Sequence, residues 1–208
     1  MRDTAIEVFA REGFTATVRT IASAAGVSPG LVIHHFGSKE RLRAECDAHV
    51  LRLTRESSAD KVAPRTGLTP FATLTARMDD IEADGPWVLY LLRSIQSGGT
   101  LARDLYEHLA SDTEATLAVG VAAGTVVPSS DEPARARYLV AQTLGALLVD
   151  LAVNPPADPG DAGAILRGFM ARMAVPATEV AVHGVLRDDA LLTAVIDHQE
   201  EQDGNQHR

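Results

Sequence analysis

The stretch that decides the fold is residues 17–36, TVRTIASAAGVSPGLVIHHF. Thr17 is a good N-cap residue, and apolar residues then recur at helical spacing. Gly26 follows the last of them, where glycine commonly ends a helix because it adopts positive φ without strain. Ser28 caps a second helix and Pro29 takes its first position, where a missing N–H costs nothing. The stretch therefore predicts two short helices joined by a tight turn.

Three residues predict that these helices pack closely together. Ala22 is small enough for the second helix to approach the first, Gly26 makes the turn, and Val32 is a branched residue that packs between the helices. This combination is typical of a helix-turn-helix, whose second helix enters the major groove of DNA. An ordinary helical hairpin of an all-α protein is the alternative reading.

The outward side of the second helix carries small and polar residues, which suit close approach to phosphates and base edges. Lys39 follows a capping serine, in the first turn of the next helix. A cation there opposes the helix dipole at a cost on the order of a few tenths of a kcal/mol. A DNA phosphate would balance this charge, although a solvated surface lysine fits the same pattern.

Residues 2–58 resemble the DNA-binding domain of the TetR family of bacterial transcriptional repressors. The resemblance implies an all-α fold in which a helix-turn-helix three-helix domain (1–48) is joined to a larger helical effector-binding and dimerisation domain (49–200), with a polar tail at 201–208. Family members usually carry further, often basic, residues before the first helix, so the resemblance leaves open whether residues precede Met1. The resemblance rests on four segments: AIEVFAREGF (5–14), VRTIA (18–22), GVSPG (26–30) and HFGSKE (35–40).

The resemblance also implies the contacts with DNA. Residues matching phosphate-binding positions are Thr17 and Lys39, while Pro29, Gly30, Leu31 and His35 match positions at or near base edges. The expected DNA-binding residues are Thr17, Arg19, Ser28, Pro29, Gly30, Leu31, Ile33, His34, His35 and Lys39.

Two of these residues depart from the family pattern. Ile33 and His34 stand where many members carry tyrosine or another aromatic residue that contacts a phosphate. Ile33 cannot donate a hydrogen bond but could contact a thymine methyl group. His34 can donate to a phosphate, more strongly when it is protonated.

Composition limits the function further. The net charge of −9 is unevenly distributed: residues 1–58 hold 8 basic and 7 acidic residues, and residues 59–208 hold 11 and 21. Affinity for DNA must therefore come from a few lysine and arginine residues at specific positions. Cys46, the single cysteine, is expected to be a small buried hydrophobe, with a redox sensor as the alternative. The cysteine count, and the lack of a signal peptide or an 18-residue apolar run, favour a cytoplasmic protein without a membrane span.

A fourth helix is predicted at about 39–57, followed by a linker at 59–68. The body, which is the part of the chain after this linker, is predicted to be helical at about 70–83, 86–97, 100–124, 132–153, 161–174 and 188–199. Residues 180–185 are short and ambiguous between helix and strand. A tryptophan, a tyrosine and an arginine share one face at 86–97 and are candidates for an effector cavity. Core aromatics beside an exposed arginine are the alternative. The candidate effector-binding residues are Met78, Trp87, Tyr90, Arg93 and Leu105.

The segment at 134–153 is apolar over more than one face, as expected of a helix buried on several sides. Together with 161–174, it predicts a four-helix dimer interface with two helices from each subunit. A central helix of a monomeric core is the alternative. The candidate interface residues are Tyr138, Ala141, Gly145, Leu148, Leu166 and Phe169.

No catalytic or metal-binding motif is recognisable, so neither an enzyme nor a cofactor is expected. The sequence favours a homodimeric repressor that a small molecule releases from operator DNA. Activation is compatible with the same motifs. A helical small-molecule-binding or enzymatic protein with a vestigial DNA-binding head is the alternative.

Overall fold

The computed structural model describes residues 1–59 and 85–206, and the part it describes is helical, without strands. The all-α prediction is confirmed. The predicted helix at 70–83, with Met78, lies outside the described residues, as does nearly all of the predicted linker at 59–68. The helices are α1 (Arg2–Glu12), α2 (Val18–Ala24), α3 (Pro29–Phe36), α4 (Lys39–Ala59), α5 (Gly85–Ser97), α6 (Thr100–Ala122), α7 (Glu132–Val153), α8 (Ala162–His183) and α9 (Ala190–Gln206).

The predicted helix pair forms as expected. The Thr17 hydroxyl accepts a hydrogen bond from the Thr20 amide at 3.1 Å and so caps α2. Gly26 has a φ of +66° in the turn. Ala22 and Val32 are buried between the two helices, which confirms their predicted packing roles.

The chain divides into two compact units, 1–170 and 171–208. In the first unit, α1 packs against α5, α4 packs against α6, and α6 packs against α7. The expected domain boundary at residue 48 falls inside α4, a continuous helix. α1–α4 belong to the same compact unit as α5–α7, and the division at residue 48 stays a prediction.

An aromatic junction of Phe9, Phe14 and Tyr90 joins α1 and its following loop to α5. The three rings lie 5.1–6.3 Å apart, centroid to centroid, in tilted or edge-on arrangements that aromatic pairs prefer. The guanidinium of Arg43 lies 3.7 Å from the centre of the Phe14 ring, a cation–π contact from α4. The Tyr90 hydroxyl donates a 2.5 Å hydrogen bond to the Asp47 carboxylate, also on α4. Three helices therefore meet at this junction.

Cys46 lies next to this region and is fully buried. Burial raises the pKa of its thiol to about 12, so it stays protonated at neutral pH. A protonated, buried thiol is a poor nucleophile. The prediction of a small buried hydrophobe is confirmed.

The C-terminal helices extend beyond their predicted ends. α8 continues through Pro176 to His183 instead of stopping near residue 174, and the ambiguous residues 180–183 are helical. Proline cannot donate a backbone hydrogen bond inside a helix, a loss that costs less on an exposed helix such as this one, where water is available. α9 also continues to Gln206, into the segment that was predicted as a polar tail.

α7 is long and apolar enough to cross a membrane by length and composition, although no run of that kind was expected from the sequence. One such helix is weak evidence for a span. α7 packs along α6, and its buried residues include Val140 and Leu147. This packing covers one side of the helix and leaves Tyr138, Val149 and Val153 exposed.

Replacing Tyr90 with phenylalanine should destabilise the protein in a pH-dependent way. Burial raises the pKa of Asp47, and the Tyr90 hydroxyl counteracts that effect by stabilising the ionised carboxylate. Without the hydroxyl, the free energy of unfolding at pH 7 should fall by about 1–3 kcal/mol. The loss should shrink as the pH falls through the Asp47 pKa, because a protonated carboxyl needs no donor. Urea unfolding at several pH values measures this.

Tyr106→Phe is the matched control. Its hydroxyl donates to the Arg137 carbonyl at 3.0 Å, an acceptor that does not titrate. This variant should show a smaller loss that is independent of pH in the acidic range. An equal loss for Tyr90→Phe at every pH would contradict the role of the Asp47 charge.

Candidate nucleic-acid interface

The residues expected to bind DNA lie at the surface of α2, α3 and the first turn of α4. All are exposed except Lys39, which is half-buried. The side chains of Leu31 and Ile33 are 46% and 42% exposed, although both are large and apolar. Val32, between them, is buried against α2. α3 thus packs one side against α2 and presents the other side to solvent.

Capping leaves the N-terminus of α3 available to a ligand. The Ser28 hydroxyl accepts a hydrogen bond from the Leu31 amide at 3.2 Å. Pro29 has no N–H. The Gly30 amide lies in the first turn, where the helix supplies no backbone carbonyl to accept its hydrogen bond. An exposed helix N-terminus of this kind attracts anionic groups.

Gly30 leaves open space on this surface. A Cβ added there would meet only the Ser28 hydroxyl, at 3.9 Å, which is an ordinary contact distance. Its φ lies outside the left-handed region that favours glycine. The fold therefore does not require glycine at this position, whereas a ligand approaching the backbone would.

Two cations of this surface lack a carboxylate partner among the described residues. Arg19 and Lys39 form no ion pair there, whereas Arg2 pairs with Asp3 at 2.8 Å and Arg52 with Glu56 at 3.5 Å. Unpaired cations at a surface remain available for phosphates.

A shallow, open groove runs along α2 beside Arg19. It includes two polar residues that the sequence analysis did not select, Thr20 and Ser23. The hydroxyls of Thr17 and Thr20 lie 2.9 Å apart and share a hydrogen bond. The sequence did contain a signal for Thr20 and Ser23. Thr17, Thr20 and Ser23 follow one another at three-residue spacing, and residues at i and i+3 share a helix face. The groove is lined by Thr17, Arg19, Thr20, Ser23 and Ala24.

Two residues expected to line an effector cavity have other roles. Tyr90 is fully buried in the aromatic junction and its hydroxyl is bonded to Asp47. Arg93 donates hydrogen bonds to the carbonyls of Ala10 at 3.3 Å and Arg11 at 3.4 Å. These carbonyls lie in the last turn of α1, where helical partners are missing. Both residues therefore hold α5 in place, Tyr90 through α4 and Arg93 through α1, and their effector-binding role stays a prediction.

The other effector candidates stay predictions. Trp87 is half-buried on α5 and Leu105 is buried on α6. Met78 lies outside the described residues.

The expected dimer residues also separate into two groups. Tyr138, Ala141 and Gly145 are exposed along one face of α7, where Tyr138 is 64% exposed, and Leu148 is half-buried. Leu166 and Phe169 are buried within the chain itself. Because these two side chains are already covered by their own chain, they offer little surface to a second subunit, and their place at a dimer interface stays a prediction.

Comparison with known proteins agrees with this architecture. Residues 2–46 match the model of bacterial regulatory proteins of the tetR family, and residues 82–187 match a tetracyclin repressor-like C-terminal domain. The HTH-type transcriptional regulatory protein RaaS of Mycobacterium tuberculosis is 44% identical over 207 residues, which cover 100% of this chain and 94% of RaaS.

Solved structures show the same fold. The TetR family transcriptional regulator PfmR of Thermus thermophilus superposes with a TM-score of 0.56 at 20% identity, covering 89% of this chain and 98% of PfmR. A structure described as the molecular basis for control of antibiotic production by a bacterial hormone gives 0.58 at 26% identity, covering 82% and 93%. With both family models matched and a relative aligned along its whole length, this chain belongs to the TetR family of bacterial transcriptional regulators.

Proposed function

We propose that this protein is a cytoplasmic repressor that binds operator DNA as a homodimer and is released from it by a small molecule. The observation that carries the proposal is the exposed face of α3 on a well-packed helix-turn-helix. A helix of this kind fits the major groove, where its N-terminal residues read base edges. The proposed role needs neither a cofactor nor catalysis.

The proposed contacts divide into two kinds. Thr17, Arg19, His34 and Lys39 would hold phosphates. The residues that would face the base edges are Pro29, Gly30, Leu31, Ile33 and His35. The head of residues 1–58 carries a net charge of only +1. With so few phosphate contacts, tight binding would require two heads to engage two half-sites about 34 Å apart or a multiple of that distance.

α4 would carry the signal between effector and DNA. Lys39 begins this helix at the proposed DNA surface, and Asp47 lies eight residues later in the aromatic junction, roughly 12 Å along the axis at 1.5 Å per residue. A ligand among the body helices, near Trp87 and Leu105, would change the position of α5 and therefore of α4. It would do so only if it bound the DNA-binding geometry of the dimer and the released geometry with unequal affinity.

The exposed stripe of α7 is the proposed dimer face. Tyr138, Ala141, Gly145 and Val149 recur at three- and four-residue spacing and are all exposed. A Cβ added to Gly145 would meet nothing within 4 Å. Small residues at such positions allow a second helix to approach closely.

Lys39→Ala should weaken binding to every DNA sequence alike, because a phosphate contact carries no sequence information. The test is fluorescence anisotropy with a duplex from the region upstream of the protein's own gene, and with a scrambled duplex, at several salt concentrations. The slope of log affinity against log salt should become shallower by about 1 per head. Arg103→Ala, an exposed change on α6, should leave both slopes unchanged. Equal salt slopes for wild type and Lys39→Ala would refute the phosphate contact.

Gly30→Ala should separate DNA binding from folding. The added methyl group fits the protein, and alanine favours a helix interior over glycine by about 0.5–1 kcal/mol, so thermal stability should be unchanged or slightly higher. Affinity for the upstream duplex should nevertheless fall at least tenfold, because the methyl group would occupy the space needed by the DNA. Ser111→Ala on α6 is the control and should bind normally. Wild-type affinity for Gly30→Ala would exclude close approach of DNA at this residue.

A further inference from the structure

Two large apolar side chains are exposed on α3, the helix proposed to enter the major groove. Leu31 is 46% exposed and Ile33 is 42% exposed. Among residues 1–56, whose side chains the structure describes, Met1 is the only other large apolar residue that is exposed. Apart from its N-terminal residue, this part of the chain therefore exposes large apolar side chains only on the helix that would face DNA.

Helix geometry places these two side chains at the edges of the outward side of α3. Val32, between them in sequence, is buried against α2. Successive residues of an α-helix are about 100° apart around the axis, so Leu31 and Ile33 point about 100° to either side of Val32. Gly30 and His34 lie between them on the outward side, and both are exposed. Each edge of the DNA-facing side is thus formed by a large aliphatic side chain.

Neither aliphatic side chain suits a phosphate. Leu31 and Ile33 carry no charge and no hydrogen-bond donor, so contact with a phosphate would remove water from the anion and give it no partner. Arg19 on α2 and Lys39 on α4 lack a carboxylate partner among the described residues and are better suited to that role. The two aliphatic side chains therefore fit another feature of the groove.

The major groove offers one apolar group that depends on sequence, the methyl group at C5 of thymine. Adenine, guanine and cytosine present hydrogen-bond donors and acceptors at their major-groove edges instead. An aliphatic side chain over one of those edges would leave a polar group without a partner. Against a thymine methyl group, the same side chain would bury apolar surface, which contributes roughly fourfold in affinity for each methyl group.

We infer that Leu31 and Ile33 are specificity-determining residues that select thymine in each half-site by contacting its methyl group. The inference rests on the proposed function, because it requires α3 to lie in the major groove. It goes beyond that proposal in stating what the bases opposite these two residues must carry. Operator affinity should consequently depend on the 5-methyl groups of pyrimidines and not only on hydrogen bonding.

The test uses a duplex that the full-length wild-type chain selects from a pool of random sequences. Deoxyuridine then replaces thymidine at one position of each half-site at a time, which removes the methyl group and keeps the base pairing. Fluorescence anisotropy should show that affinity falls roughly fourfold per methyl group at the contacted positions, or roughly fifteenfold for a symmetric pair. At the other thymines the change should stay below about twofold.

Methylated cytosine supplies a second measurement. Where cytosine replaces the sensitive thymine, the hydrogen-bonding groups of the base change and affinity should fall. A duplex with 5-methylcytosine at that position should then bind about fourfold more tightly per methyl group than the duplex with cytosine. These two duplexes differ only in the methyl group, so their ratio does not depend on the altered hydrogen bonds.

Variants assign the effect to the two side chains. Ile33→Ala and Leu31→Ala should each remove the difference between thymine and deoxyuridine at the position that the side chain contacts, whereas Ile33→Val should retain most of it. Val119→Ala is the matched control, because Val119 is also 42% exposed but lies on α6, and it should keep the full methyl dependence. Both α3 residues are exposed, so the variants should unfold at the wild-type temperature.

Three results would count against the inference. Equal wild-type affinity for the thymine and deoxyuridine duplexes at every position would overturn it and would leave DNA binding by α3 intact. Methyl dependence that persists when Leu31→Ala and Ile33→Ala are combined would assign the recognition to other residues and would overturn it too. A wild-type chain that selects no sequence from the pool would refute the proposed function, and the inference with it.

Discussion

The hydrogen bond between the Tyr90 hydroxyl and the Asp47 carboxylate is the contact on which the rest of the first unit depends. It joins α5 of the body to α4, the helix that begins at the proposed DNA surface. The rings of Phe9 and Phe14 contact the Tyr90 ring, and Arg93 of the same helix donates hydrogen bonds to the end of α1. A charged carboxylate in such surroundings is costly unless a donor satisfies it. The position of α4 relative to α5 is thereby restricted to arrangements that keep this bond.

That restriction explains how a nearly neutral head could be controlled from a distance. α1 to α4 share one packed unit with the body helices, so a change at α5 cannot leave α4 where it was. The surface formed by α2, α3 and the first turn of α4 carries few cations, and Arg19 and Lys39 are the two without a carboxylate partner among the described residues. Binding that relies on few phosphates depends strongly on the spacing of two heads. A small displacement of α4 would consequently be enough to change affinity, provided that the displaced state is the one the effector prefers.

The helix-turn-helix was predictable because its signals are local. Caps at Thr17 and Ser28, the turn at Gly26 and the packing of Val32 each depend on neighbours a few residues away. The roles of the body residues were harder to predict. Spacing correctly placed Tyr90 on one face of a helix, but spacing cannot tell whether that face meets a ligand, another helix or a second subunit. Only packing across more than forty residues of sequence decides between them.

The sequence by itself determined the all-α class, the helix-turn-helix head and the family. Caps, glycine turns and helical periodicity are local to one helix and its adjoining turns, so they can be recognised without the tertiary structure. The sequence also determined that the net negative charge lies outside the head. Tertiary structure alone decided that Tyr90 and Arg93 join α5 to α4 and α1, and that Leu166 and Phe169 are buried within the chain. The physical reason is that burial depends on which surfaces meet, and an apolar residue has the same periodicity whether its own chain or a partner covers it.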